Sequence, residues 1–523
     1  MLTPEYLEDL PEEILQLYYK AEQEILSDMA RRVSTYDYWI PAAEYQRQKL
    51  REAGVLQEDI LKSLSGLTGK SEAELKRLMQ EAGTKALQSD TAVYEAAGMT
   101  VPKIADSEPL RAILNAGYKA TAQTMRNICK TTAQTATVQF ENVLDLAWLK
   151  VQSGAFDTDS AVRSAIKELS ERGIQSIRYP SGRTDSIEVA VRRAVVTGVN
   201  QTAGQLQEEL ADELGCDLVE VSAHAGARPE HAKWQGKIYS RSGNDPKYPD
   251  FKKSTGYGTG AGLCGWNCRH TFGPYIEGSP PVWSEEQLAD LNAPKYEYNG
   301  KMLTEYEASR QQRYNERQIR RWKREYTSME AAGLDTAESA VNLRHWQKTQ
   351  KDFLSKTGFK RQYARETYIG FSKIQASKAS AEAAYIEKEA NRIFSLGDTD
   401  KNIKMFLEEK PVIDLLASHG VQYIQRISND EIIVDAGKPQ IVAMRQHAVD
   451  NLLTRPDRKD MSVEQAQLFV DNAKLTIYQV IRESIKFLAQ DGYAVLNFQN
   501  ELVTAVPQKW RKKYDKYIGG DSP

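Results

Sequence analysis

The sequence predicts a multidomain protein with a mainly α N-terminal region, a loop-rich middle region carrying Cys and His, and a small α+β C-terminal domain. Three observations lead there. The chain has 523 residues, too many for one hydrophobic core. Apolar residues recur at three- and four-residue spacing through the N-terminal part, which is the helical period. After Ser395 the texture changes to short β-rich segments separated by turn residues. The expected divisions are residues 1–215, helical; 216–297, Gly-rich with His and Cys; 298–394, a charged helical connector; and 395–523, the small α+β domain.

Bulk composition excludes several classes. Charged residues make up 27% of the chain, and no run approaches the roughly 20 apolar residues of a membrane span. The opening MLTPEYLEDLPEE is acidic and lacks the basic and apolar regions of a secretory signal, so synthesis is expected to finish in a cytoplasm. A formal net charge of -3 argues against a chain that coats nucleic acid along its whole length, while leaving room for local basic patches. Four cysteines are too few for a disulfide scaffold, and Cys129 and Cys216, alone in helix-like sequence, read as buried thiols.

The helical elements follow in order. Leu10, Ile14, Leu17, Ala21, Ile25 and Met29 mark an amphipathic helix, with Pro11 suited to its first turn. Ser71 and Glu74 have capping-box spacing and announce a new helix through Leu75, Leu78 and Met79. The adjacent GLTGKS is not a phosphate loop, because Leu64 stands where the first glycine is needed and no apolar strand precedes it. YPSGRTD near residues 178–185 reads as a turn, and the long helix after it turns Ile187, Val191, Val195 and Val199 to one side. Farther on, RQQRYNERQIRRWKREY is a basic helical stretch, read as solvated surface, with a grip on DNA or a partner as the alternative.

The middle region holds five candidate metal ligands: His224, His231, Cys264, Cys268 and His270. Zinc takes four thiolate and imidazole ligands, and irregular Gly-rich backbone lets such groups converge. The alternative is metal-free: small buried cysteines, with the histidines hydrogen-bonding the loop backbone. A catalytic zinc, as in a hydrolase, lacks an acid placed as in His-Glu-x-x-His. Glycines 256, 258, 260 and 262 alternate, but no strand and helix flank them as a dinucleotide site requires; they allow tight turns and close backbone contact.

The pairing of HAGARPEHAKWQGKIYS with GTGAGLCGWNCRHTFGPYI, behind a long helical region, resembles the minor capsid proteins of phages infecting Gram-positive bacteria, related to the MuF-like minor head proteins. The resemblance spans roughly residues 1–380, and its specific part is Ser222 to Ile276. It implies a virion component of few copies, associated with the portal inside the head, with portal and head proteins and phage DNA as partners.

In the last region GVQYIQRI, EIIVDAG, IKFLAQDG, YAVLNF and LVTAVP read as strands, and residues 440–451 and 462–472 as helices, with the boundary near Gly397. His447 lies on a helix entering a polar loop that carries Arg455, Arg458 and Lys459, while Thr504 lies on the final strand and Lys486 on an earlier one. Their order resembles, approximately, the His, basic, then Ser or Thr pattern of phage nucleases of the barnase, EndoU, colicin and RelE class. Such a toxin would act on RNA and require a cognate immunity protein.

Metal-independent RNA cleavage needs a base for the 2′-hydroxyl proton, an acid for the leaving oxygen and cations over the phosphate. His447 suits acid or base, Arg445, Arg455, Arg458 and Lys486 suit the phosphate, and Thr504 supplies a positioning hydroxyl. The tail residues Lys509, Trp510, Arg511, Lys512 and Tyr514 mix charge with rings as RNA contact requires. Each also has a plain alternative: a structural histidine, a β-forming threonine and a solvated tail. The competing function is therefore a purely structural or assembly protein whose C-terminal domain binds portal, scaffold or DNA without catalysis.

Overall fold

The computed structural model describes residues 1–154, 156–454 and 461–518. They form two compact units, Met1–Glu382 and Ala383–Pro523. Among the described residues, no helix is long and apolar enough to cross a membrane.

The first unit begins with α1 (Pro4–Asp9), α2 (Glu12–Thr35), α3 (Ala42–Ala96), α4 (Glu108–Gln152) and α5 (Thr158–Arg172). A small antiparallel hairpin, β1 (Gln175–Arg178) and β2 (Thr184–Ser186), then leads into α6 (Ile187–Glu213). The expected turn after Arg178 and the expected long helix both lie here. Ile187, Val191, Val195 and Val199 join Ile14, Met29, Leu64, Phe140 and Leu144 in one buried core, because their spacing keeps them on one stripe of α6.

The predicted helix start at Ser71 does not occur. Helix α3 runs through it without a break, and the Ser71 hydroxyl donates to the Thr68 carbonyl at 3.0 Å instead of capping. Each mid-helix glycine costs about 1 kcal/mol relative to Ala. Leu64 before and Leu75 and Met79 after are all buried, and their packing offsets Gly66 and Gly69.

Next comes a three-stranded antiparallel sheet in the order β4-β3-β5, formed by β3 (Leu218–Val221), β4 (Ile238–Ser240) and β5 (Phe272–Pro274), with the short helices α7 (Pro229–Ala232) and α8 (Phe251–Thr255) between its strands. After α9 (Glu285–Leu291) and the hairpin β6 (Tyr296–Tyr298) and β7 (Lys301–Leu303), the chain returns to helix in α10 (Glu305–Ala331), α11 (Ala337–Thr357), α12 (Tyr363–Glu366) and α13 (Lys373–Phe394). A true capping box of Thr304 and Glu307 starts α10.

The basic stretch in α10 is an internal frame rather than a solvated run. Arg313 donates to Glu8 at 2.5 Å and to Glu316 at 2.7 Å, Arg320 pairs with Glu188, and Arg324 donates to the Ser170 carbonyl at 2.6 Å. Period alone cannot show this, because Glu8, Glu188 and the Ser170 carbonyl come from helices distant in sequence.

In the second unit, α14 (Thr399–Ser418) precedes β8 (Gln422–Arg426), β9 (Glu431–Asp435), the two-residue β10 (Ala443–Met444), α15 (Gln446–Thr454) and α16 (Val463–Asp471). Then follow β11 (Leu475–Gln479), β12 (Ser484–Leu488), β13 (Gly492–Leu496) and β14 (Glu501–Pro507). They make one seven-stranded sheet in the order β10-β14-β13-β12-β11-β9-β8, antiparallel except for β10 with β14. Alternation divides the faces. Ile485 and Phe487 turn to a core built with Leu416, Ala448, Ala466 and Val470 from the helices. Leu488 turns to the opposite face, where Ile433, Ile477 and Tyr514 gather.

Candidate functional sites

The first candidate site lies in the loops around β3. His224 follows that strand, His231 sits on α7, and Cys264, Cys268 and His270 belong to the Gly-rich segment entering β5. Close backbone contact shapes this segment: a Cβ on Gly262 would stand 2.0 Å from the Gly256 carbonyl oxygen. Asn200 on α6 holds it from below, its Nδ2 donating to the carbonyls of Cys268 at 2.9 Å and His270 at 3.0 Å.

Of the five candidate ligands, three converge. One ligand atom each from His231, Cys268 and His270 lies within 4.8 Å of the others, and all three residues are buried. The Cys268 sulfur is 3.7 Å from His231 Nδ1 and 3.6 Å from His270 Nδ1. His224 stands beside them: its ring centroid is 4.4 Å from that of His270, and its Nδ1 donates to the Ala225 carbonyl at 2.7 Å.

Cys264 does not join the group. A Cβ on Gly204 of α6 would meet its sulfur at 3.3 Å, and Leu263 and Phe251 share its apolar surroundings. The reason is local. Cys264 and Asn267 both have positive φ, 58° and 52°, and the turn they make leaves the Cys264 sulfur against the His270 carbonyl at 3.7 Å, while the Cys268 sulfur meets the two imidazoles.

Hydrogen bonds fix the tautomers. His231 Nε2 faces the Ala261 carbonyl at 2.9 Å, and a carbonyl only accepts, so Nε2 carries the proton. Gln235 Oε1 accepts from the His224 backbone N–H at 3.1 Å and from His270 Nε2 at 2.9 Å, so His270 is also protonated on Nε2. Both Nδ1 lone pairs therefore point at one sulfur. Burial, reinforced by neighbouring His224 and His231, pushes His270 down to about 2; burial and Arg269 push His224 down to about 4. Burial likewise lowers His231 and raises the Cys268 thiol.

The second candidate site is a cleft of 770 Å³ in the C-terminal unit. It gathers Arg445, His447 and Thr504, together with His419, Arg482 and Gln499. His447 is at the start of α15, and Thr504 is on β14 opposite Val495. A register shift leaves Val503 as an extra residue between the pairs Val495–Thr504 and Leu496–Leu502, so Val503 and Thr504 both reach the cleft wall. Arg445 is tethered to Glu501 at 3.1 Å.

His419, which no sequence motif singles out, is the addition. It ends α14, its ring stacks on Phe498 with centroids 4.0 Å apart, and its Nδ1 donates to the Leu415 carbonyl at 3.0 Å. That bond leaves Nε2 as a proton acceptor.

Other predicted residues fall elsewhere. Lys486 is not among the cleft residues; it lies over the Tyr493 ring at 3.8 Å, and burial followed by nearby Arg511 pushes it down to about 8. Tyr514 is 3% exposed and packs against the sheet, so its ring is not offered to a base. Trp510 donates to Asp515 at 2.7 Å and packs beside Tyr514, whereas Lys509, Arg511 and Lys512 are exposed. Arg455 and Arg458 lie outside the described residues.

Comparison with known proteins gives the class: this is a structural protein of a phage virion. More particularly, residues 2–355 match the family model of phage minor capsid protein 2, and the chain belongs to that family. The match takes in the whole His/Cys loop and ends before the C-terminal unit. A structural protein of Lactococcus phage LL-H is 25% identical over 237 residues, which cover 44% of this chain and 61% of that relative. A structural protein of Lactococcus phage mv4 is 34% identical over 125 residues, 23% of this chain and 93% of the relative. No solved structure matches the chain.

Proposed function

We propose that this minor capsid protein associates with the portal inside the head and that its C-terminal unit cleaves RNA. The observation supporting cleavage is one cleft with two imidazoles, two guanidiniums and a hydroxyl: His419, His447, Arg445, Arg482 and Thr504. His419 Nε2 takes the proton of an RNA 2′-hydroxyl, and the freed oxygen attacks phosphorus. The bond to the 5′-oxygen breaks, and protonated His447 gives that oxygen its proton. The products are a 2′,3′-cyclic phosphate end and a 5′-hydroxyl end. Arg445 and Arg482 neutralise the charge on the phosphoryl oxygens, and Thr504 positions the phosphate.

The test is incubation of the full-length chain with RNA and analysis of the new ends. Cyclic phosphate ends from the wild-type chain, lost in His419→Ala and His447→Ala, are expected. Intact RNA with the wild-type chain overturns the nuclease reading and leaves an assembly module that binds portal, scaffold or DNA. An active enzyme also calls for a cognate immunity protein during production, so co-expression of a neighbouring phage gene should relieve toxicity. The portal reading is supported by kinship with minor capsid proteins; chemical cross-linking of intact virions should link this chain to portal subunits, and links confined to outer surface proteins overturn it.

A further inference from the structure

We propose that His231 Nδ1, Cys268 Sγ and His270 Nδ1 bind a zinc-type divalent ion that staples the loop region of the first unit. The two sulfur–nitrogen separations already suit one. With metal–sulfur bonds near 2.3 Å and metal–nitrogen bonds near 2.0–2.1 Å at tetrahedral angles, sulfur and nitrogen ligands sit about 3.6 Å apart. The Cys268 sulfur lies 3.7 Å and 3.6 Å from the two Nδ1 atoms.

The surrounding hydrogen bonds point the same way. Each histidine spends its Nε2 proton outward, His231 on the Ala261 carbonyl and His270 on Gln235 Oε1, the arrangement that orients imidazole ligands toward a metal. Without a cation the inner side is short of donors: two buried Nδ1 lone pairs meet one thiol, which has a single proton. A divalent ion satisfies both lone pairs and the sulfur together. On binding, the Cys268 S–H bond breaks, a sulfur–metal bond forms, and the proton leaves to solvent. Mixed imidazole and thiolate ligands select zinc-like ions over magnesium or calcium. The closure spans 37 positions, from α7 to the entry of β5, in a stretch with little regular structure of its own.

The full-length chain is purified, stripped with a chelator and titrated with zinc or cobalt(II). About one ion per chain is expected, with a sulfur-to-cobalt charge-transfer band and a thermal midpoint that rises with added metal. Cys268→Ser should abolish the band, whereas Cys264→Ser should keep it. The wild-type spectrum is a readout even if Cys268→Ser fails to fold. A metal-free wild-type chain that shows no cobalt–thiolate band overturns the proposal, as does a band that survives in folded Cys268→Ser.

Discussion

Glu188 at the start of α6 and Arg320 in the middle of α10 form an ion pair inside the first unit, 132 positions apart in sequence. Arg320 also donates to the Tyr19 hydroxyl at 2.9 Å, so one guanidinium joins three helices. Burial pushes the Glu188 carboxyl up, but Arg320, together with Arg192 and Arg324, more than offsets it and holds the group below its ordinary value.

Removing one partner leaves the other charge buried and unmatched, which costs about 3–5 kcal/mol. Glu188→Gln should therefore lower stability by about 3 kcal/mol in chemical denaturation at pH 7, as long as the first unit unfolds in one step. Because the folded value is depressed, this contribution is present above the unfolded carboxylate range and is lost as pH falls through the folded value. Glu188→Gln should accordingly destabilise less in strong acid. An equal loss at every pH would contradict the assignment.

Glu325 behaves in the opposite sense. It is buried between α10 and α11, where Ser339 donates to it at 3.0 Å, and burial pushes it up to about 7. A carboxyl raised above its unfolded value favours the folded state while protonated, so stability falls as pH rises from about 4 to about 7. Glu325→Gln removes that loss. The variant should gain up to about 3 kcal/mol over wild type at pH 8, with little difference at pH 4. A denaturation series across that range reads the crossover, and a constant offset would count against it.

Gly262→Ala tests the loop. Its methyl group would stand 2.0 Å from the Gly256 carbonyl oxygen, which is backbone and cannot swing aside. Destabilisation of about 1–3 kcal/mol is expected from forced repacking. Limited proteolysis should then cut first between α8 and β5. Gly66→Ala, with open space around it on α3, serves as the contrast and should be neutral or stabilising.

Removing a positioned acid or base slows a reaction by about 10²–10⁴-fold. His419→Ala and His447→Ala should each reduce RNA cleavage by about that factor, and the double variant by less than the product, because the two act in one step. Lys486→Ala should leave the rate largely intact, since that ammonium lies over Tyr493 and not in the cleft. A collapse of activity in Lys486→Ala with His419→Ala unaffected would reverse the roles.

Much of the architecture was legible because period survives in sequence. Helix α6 and strands β8, β9, β12, β13 and β14 stand where their apolar alternation places them. Local signals misled where tertiary packing won, as at Ser71, whose capping spacing lies inside the unbroken α3. Strand β11 was missed although Leu475 and Ile477 alternate, because it follows α16 after only a few residues. At the sites, residue types were legible and directions were not. Positive φ at Cys264 and Asn267 leaves only the Cys268 thiol facing the imidazoles, which spacing alone does not show, and His419 reaches the cleft only through the way α14 ends against Phe498.

Glu8 receives Arg269 at 2.7 Å, Arg313 at 2.5 Å and also Arg365, the last from 357 positions farther along the chain. During synthesis that carboxylate leaves the ribosome long before its final partner exists. At about 5–20 residues per second the interval is tens of seconds. Until α12 emerges, that polar junction lacks its third guanidinium. A nascent chain stalled before residue 365 should therefore be far more open to protease around α1 than the finished protein.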